Sequence, residues 1–389
     1  MFRHLLLPLT GTGLDAEAVR HARAMALLAG ADVHVMRVLE PPERGPDAGP
    51  IDTLEWHARR VAAEEGLARV ADELRAAGLT VETTCAEGQV TEHIIHQVHR
   101  GVDLMVLPTG EFGRAHVGAL GGQVLWRSYV TTLLVRGERA PDHGRRDGPT
   151  TRQAAKVVPR GWTGETAPAE TSAETAAGTA AGTAAEAAGG EPGAATAATP
   201  TDAGTDADAT READAARPAG EARGLYRTVL VGLDGSRRAE CVLPVVRFLA
   251  TAVASKVVLA HVIEEPALPR LVPPTPEETA LVEHLMAVNE SAAGDYLADV
   301  EARIGVSTET RLKRGKSTVS ALHAMVDESG ADLVILSAHG YGGDQTWPYG
   351  EVATNLIGYG RTPLLVVHDV PWTERTAPAA DVTDEAWGR

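Results

Sequence analysis

Apolar positions in the C-terminal half of the chain switch repeatedly between two periods. TVLVGL at 228–233 and KVVLAHVI at 256–263 are nearly continuous apolar runs rich in β-branched residues. SRRAECVLPVVRFLATAV at 236–253, between them, carries helical spacing. A Pro-rich loop leads into a long helical stretch from Pro276 to Arg303, with Thr275 as N-cap and Glu277 and Glu278 in the first turn. VSTETRLKR at 306–314 alternates like a half-exposed strand, and STVSALHAMVDESG at 317–330 reads as a helix. DLVILSA at 332–338 and PLLVVHD at 363–369 read as buried strands. Strands without a polar face, alternating with helices, predict a parallel sheet covered on both sides.

The N-terminal half repeats this order. RHLLLPLTGT at 3–12 matches RTVLVGLDGS at 227–236, VDLMVLPTG at 102–110 matches ADLVILSAHG at 331–340, and TTLLVRGE at 131–138 matches TPLLVVHD at 362–369. A helical stretch at 51–77 takes the place of the one at 276–303. Two copies predict a duplicated domain, not a solenoid. The chain is expected to divide into a first domain at 1–140, a linker at 141–222, a second domain at 223–372 and a flexible tail at 373–389. Each domain is predicted as a five-stranded, doubly wound α/β sandwich. The linker is mostly Ala, Thr, Gly, Glu, Asp and Pro. It has too little apolar surface to offset the entropy of ordering, so it reads as disordered.

Composition narrows the function. The 389 residues carry a formal charge of −17, which disfavours non-specific binding to nucleic acid or an anionic membrane. No apolar run reaches the ~18 residues of a membrane span, and LLLPL at 5–9 is too short for a signal-peptide core. The two cysteines, Cys85 and Cys241, lie in different halves and read as reduced thiols of a cytoplasmic protein.

In a doubly wound sheet ligands bind at the carboxyl ends of the strands, where strand order reverses. In the second domain those ends carry Leu233-Asp234-Gly235-Ser236 and Ser337-Ala338-His339-Gly340, and after nine intervening residues comes Gly350 at a helix start. Backbone N–H groups of a helix N-terminus and a Gly-rich turn suit an anion. A turn that merely needs positive φ would leave the same glycines.

Both copies resemble universal stress protein domains of the UspA type. VLVGLDGS at 229–236, HVIEEP at 261–266, Gly315, ADLVILSAHG, the Gly340–Gly350 spacing and TPLLVVHD carry the resemblance. It implies an adenine nucleotide alpha hydrolase-like sandwich and a regulatory protein. It also implies that Asp234 and the backbone near Val262 meet an adenosine. Ser337, His339, Gly340, Gly350 and Glu351 would surround the ribose and phosphates of ATP, or of another adenine nucleotide, with Mg²⁺, and Leu233, Gly235, Ser236 and Val352 complete the expected nucleotide-binding set.

Two positions depart from the family loop. Ser337 stands where its first glycine belongs, and Glu351 where Ser or Thr belongs. A carboxylate beside a triphosphate repels it unless a cation bridges them. The first copy departs further. Thr10 replaces the aspartate, Gly122 follows Gly113 after eight residues instead of nine, and Gln123 replaces the hydroxyl residue. Aligning Asp103 with Asp332 instead removes Gly110 and Gly113 from the motif. Thr10, Gly110, Gly113 and Gly122 therefore mark a degenerate site, and the first domain is expected to be structural.

Other signals are declined. Gly315-Lys316-Ser317 imitates the end of a Walker A loop, but Thr310 stands where its opening glycine belongs, so a strand-to-helix turn is expected. His93, His96 and His99 drift about 60° per step around a helix, a strained set of metal ligands, and read as solvated histidines. No metal site is expected. No nucleophile or supported base is recognisable, so no catalytic residue is expected and a slow ATPase is the weakest reading. A pure interaction protein with two degenerate clefts is the second. The last strands, at exposed sheet edges, are expected to pair, within one chain as a pseudo-dimer or between chains as a homodimer.

Overall fold

The computed structural model describes residues 1–13, 15–41, 53–109, 119–136, 222, 224–266, 273–342 and 348–369. The predicted tail, all of the predicted linker except Ala222, and Gly110 and Gly113 lie outside the described residues.

The first half runs β1 (His4–Leu9), α1 (Asp15–Ala29), β2 (Asp32–Leu39), α2 (Thr53–Ala76), β3 (Val81–Glu87), α3 (Val90–Val98), β4 (Leu104–Thr109), α4 (Ala119–Ser128) and β5 (Thr132–Arg136). The second half runs β6 (Thr228–Gly232), a 3₁₀ turn (Ala239–Val242), α5 (Leu243–Val253), β7 (Lys256–Glu264), α6 (Pro276–Ile304), β8 (Thr308–Gly315), α7 (Thr318–Ser329), β9 (Leu333–Ser337), α8 (Glu351–Tyr359) and β10 (Leu364–Val367). The stretch expected as one helix at 236–253 opens as the 3₁₀ turn and becomes regular only at α5. Pro244, in the first turn of α5, lacks the N–H a longer helix would need there.

The helix starts follow local chemistry. The Thr275 hydroxyl accepts from the Glu278 N–H while the Glu278 carboxylate accepts from the Thr275 N–H, a reciprocal cap for α6. The Ser317 hydroxyl accepts from the Ser320 N–H, so Gly-Lys-Ser is a capping turn, as expected.

The ten strands among the described residues join one sheet in the order β3-β2-β1-β4-β5-β10-β9-β6-β7-β8. Within each half neighbouring strands are parallel. At the centre β5 and β10 pair antiparallel, with Leu364 opposite Leu134 and Val366 opposite Thr132. The two last strands thus meet within the one chain, each covering the other's edge.

Alternation along the strands splits the core. Leu5, Leu7, Val33, Val35, Val229, Val231, Val257 and Leu259 face the layer that holds residues of α1, α2, α5 and α6. On the opposite face Leu230, Val258, Val334, Leu364 and Val366 pack with residues of α7 and α8. Leu107, Leu125 and Leu134 of the first half join that second cluster, so the halves share core.

Candidate functional site

The site is built where β6, β9 and β10 end. Gly232 is needed beneath it, because a Cβ there would collide with Leu336. After it Leu233 is buried, and its carbonyl accepts from His261 Nδ1 (2.9 Å). Burial lowers the His261 pKa; the Leu233 carbonyl and Asp234 act in the opposite sense. Asp234 follows, then Gly235 at φ +84°, a left-handed turn that suits glycine.

The turn aims the Asp234 carboxylate across to the end of β9. It accepts from the Ser236 N–H (2.9 Å) and from the Tyr341 N–H (2.5 Å). Gly340 lies so close that a Cβ would collide with Asp234 Oδ2. The predicted residues Asp234, Ser236 and Gly340 are therefore brought together. In this structure Asp234 ties two loops.

Gly350 N–H donates to the Ala338 carbonyl (2.7 Å), which holds the start of α8 against the end of β9. Gly350 is the N-cap residue of α8 and has no side chain with which to cap it. Glu351 is exposed in the first turn and Val352 half-buried beside it. A carboxylate there favours the helix dipole even as it opposes an anionic ligand. Val262 is half-buried in β7.

Ser337 and His339 sit deeper than their expected role requires. The Ser337 hydroxyl donates to the His339 carbonyl (2.5 Å). The His339 side chain is wholly buried, with Nδ1 2.7 Å from Asp369 Oδ1. Asp369 also accepts from Arg238 Nε (2.6 Å). Burial opposes ionisation of Asp369, but hydrogen bonds from His339 and Arg238 outweigh it and hold the carboxyl below its ordinary range. This cluster clamps the ends of β6, β9 and β10 together beneath the loop. Residue-type reasoning missed Asp369 and Arg238. Their only signal is that two charges border apolar runs.

The first half fills the matching place differently. The Thr10 and Gly11 N–H groups both donate to the Asp15 carboxylate (2.9 and 2.7 Å), as does the Thr10 hydroxyl (2.8 Å). Arg37 lies against Gly11, where a Cβ would meet its guanidinium. The Thr10 and Gly11 amides are thus engaged by the chain itself. Gly122 lies within α4, not at a helix start.

The three histidines of α3 are not equivalent. His96 and His99 are exposed, whereas His93 is half-buried, its Nε2 3.0 Å from the Glu87 carbonyl. His93 thus ties the helix to the preceding turn, a correction to its reading as solvated. Among the described residues no group of three or more His, Cys, Asp or Glu is placed to hold a metal. Cys85 and Cys241 are free thiols, and burial pushes the Cys241 pKa up to about 12.

The family model for the universal stress protein family matches residues 1–136 and 225–368. The chain belongs to the universal stress protein family. A universal stress protein from Archaeoglobus fulgidus DSM 4304 is 14% identical, with a TM-score of 0.52 over 94% of this chain and 98% of that one. A protein of unknown function from Pseudomonas aeruginosa PAO1 is 11% identical, with a TM-score of 0.54 over 94% and 92%. A universal stress protein in complex with cAMP is 22% identical, with a TM-score of 0.28 over 38% and 99%. The search of curated proteins gave no match. At these identities the first two solved structures speak for the fold alone. Among the described residues no helix is long and apolar enough to cross a membrane.

Proposed function

We propose that this universal stress protein is a cytoplasmic regulatory module whose second half binds an adenine nucleotide and whose first half is structural. One observation carries the reading. The start of α8, with no side chain at its N-cap, is held by Gly350 against the β9 end, beside the Asp234–Gly340 crossing. The first half instead engages its loop amides with Asp15. A helix N-terminus at the carboxyl end of a parallel sheet favours a phosphate. Exposed Glu351 disfavours a triphosphate and selects AMP, or ATP with a bridging Mg²⁺. No catalytic role is assigned to any residue.

A second reading, an interaction protein with no nucleotide, is favoured by one fact: the Asp234 carboxylate already accepts two backbone N–H groups. Equilibrium binding of AMP, ADP, ATP and cAMP to the full chain, with and without Mg²⁺, separates the two. The nucleotide reading expects AMP to bind, Asp234→Ala to abolish binding, and Glu351→Ser to tighten ATP by about two- to fivefold, the worth of one charge at a helix end. Failure of every nucleotide to bind would sink it.

A further inference from the structure

The first half touches α8 at both ends. Tyr349, immediately before the N-cap, is buried at the seam, and its hydroxyl donates to the Leu125 carbonyl of α4 (3.2 Å). Its ring stands edge-on to Trp126, with centroids 6.2 Å apart and planes at 88°. On its other side it meets His368, 3.3 Å from the hydroxyl at Nε2. At the far end of α8, Arg136 of β5 donates from Nη2 to the Leu356 and Ile357 carbonyls (2.9 Å each). The Leu356 carbonyl also accepts from the Gly360 N–H (2.9 Å), whereas the Ile357 carbonyl is among the last of the helix, which lack partners within it. A cation there also suits the negative end of the helix dipole. Burial lowers the Arg136 pKa to about 10, which still leaves it charged at neutral pH.

Helix α8 has nine residues, with Gly358 among them. Helices this short are marginal alone, so their pose comes from tertiary anchors. Two of those anchors belong to the first half.

We propose that Tyr349 and Arg136 are positioning residues for the nucleotide loop, so that the first half sets the affinity of the second half's site. The ligand part of this inference rests on the proposed function; the mechanical part does not. Arg136 has no counterpart across the pseudo-symmetry: Val367 stands at its place, 231 residues on, the spacing that aligns Thr131 with Thr362. The seam is therefore asymmetric, and it braces α8 of the second half. Coupling of this kind is reciprocal, so a bound nucleotide would in turn tighten the seam.

The test uses the full chain and three variants: Tyr349→Phe, Arg136→Met and Tyr226→Phe. Tyr226→Phe is the control. It removes a buried hydroxyl that bridges the halves to His21 (2.8 Å), but at the opposite end of the sheet, before β6 begins. Hydrogen exchange without ligand reads the amides of 338–341 and 350–356; AMP titration reads affinity. Tyr349→Phe and Arg136→Met are expected to speed exchange there by about tenfold and to weaken AMP by about fivefold or more, the usual span of coupling between sites. Tyr226→Phe should move neither reading by more than about twofold, whatever it does to overall stability. Equal effects from all three variants would mean a general loss of stability and overturn the proposal. Unchanged exchange in both loop-side variants would overturn it too. If the parent chain binds neither AMP nor Mg²⁺–ATP, the ligand part and the proposed function fall together. The exchange contrast still decides the mechanical part.

Discussion

The same turn follows the first strand of each half, and the two halves close it with different chemistry. In the second, Asp234 reaches outward to another strand's loop, the Tyr341 N–H. In the first, Thr10 stands in its place and the loop folds onto its own helix through Asp15. Moving one carboxylate from position 10 to 15 turns a bridge between loops into a local cap. Beneath the second loop lies a buried Arg238–Asp369–His339 cluster. Counting back the 224 residues that align Arg227 with Arg3, Leu14 stands at the place of Arg238. The two halves share the scaffold and differ in the chemistry at the strand ends.

Asp369→Asn attacks that difference hardest. It leaves Arg238 and His339 without their shared carboxylate, a change that costs about 3 kcal/mol, the low end for a buried pair because Arg238 is partly exposed. Denaturant unfolding of the full chain is the measure, and a loss below about 1 kcal/mol would mean the cluster is not structural. Since the Asp369 pKa is depressed, its contribution is present above the ordinary carboxylate range and is lost only under strong acid.

The seam differs between its two sides as well. His21 and Tyr226 form a buried polar pair, whereas Val245 and Phe2 occupy the equivalent places, each 224 residues away. Burial pushes the His21 pKa down to about 4, with Arg20 adding a smaller repulsion. The unfolded chain binds that proton near pH 6.5 and the native one does not, so stability falls as pH drops from 6.5 to 4. His21 accounts for about 3 kcal/mol of that fall. His21→Gln should flatten the slope across this window, read as the difference between variant and parent. An unchanged slope would show that His21 becomes charged in place.

The smallest contrast sets Gly340→Ala against Gly11→Ala. The first drives a methyl into Asp234, which two amides hold, and should cost about 2 kcal/mol. The second meets only the far end of Arg37, which can swing aside, and should cost about 1 kcal/mol, mainly for the +76° φ. Equal costs in thermal melts would remove the distinction between a braced loop and a loose one.

Much of this was legible beforehand. The strands are buried on both faces, so their apolar runs stand out from amphipathic helices, and Thr275 with Glu278 marks the start of α6 by local chemistry alone. Asp234, Gly340 and Gly350 could be named from spacing. Their use could not: the Asp234–Tyr341 tie spans 107 residues and the Arg136–Ile357 contact 221. His339 illustrates the gap best. Its position in the loop pointed to a ligand, but its ring faces inward, onto a carboxylate 30 residues further along.

The sequence by itself determined two copies of a parallel α/β layer and the boundaries of α2, α6 and α7 to within a few residues. These follow from short-range periodicity and from caps, which act within one turn of chain. Only the tertiary structure decided that β5 and β10 pair within the chain, that Asp234 and Asp369 serve as ties, and that a first-half arginine grips a second-half helix. Such contacts join groups far apart in sequence, and their geometry exists only once the sheet has closed and excluded water from the seam.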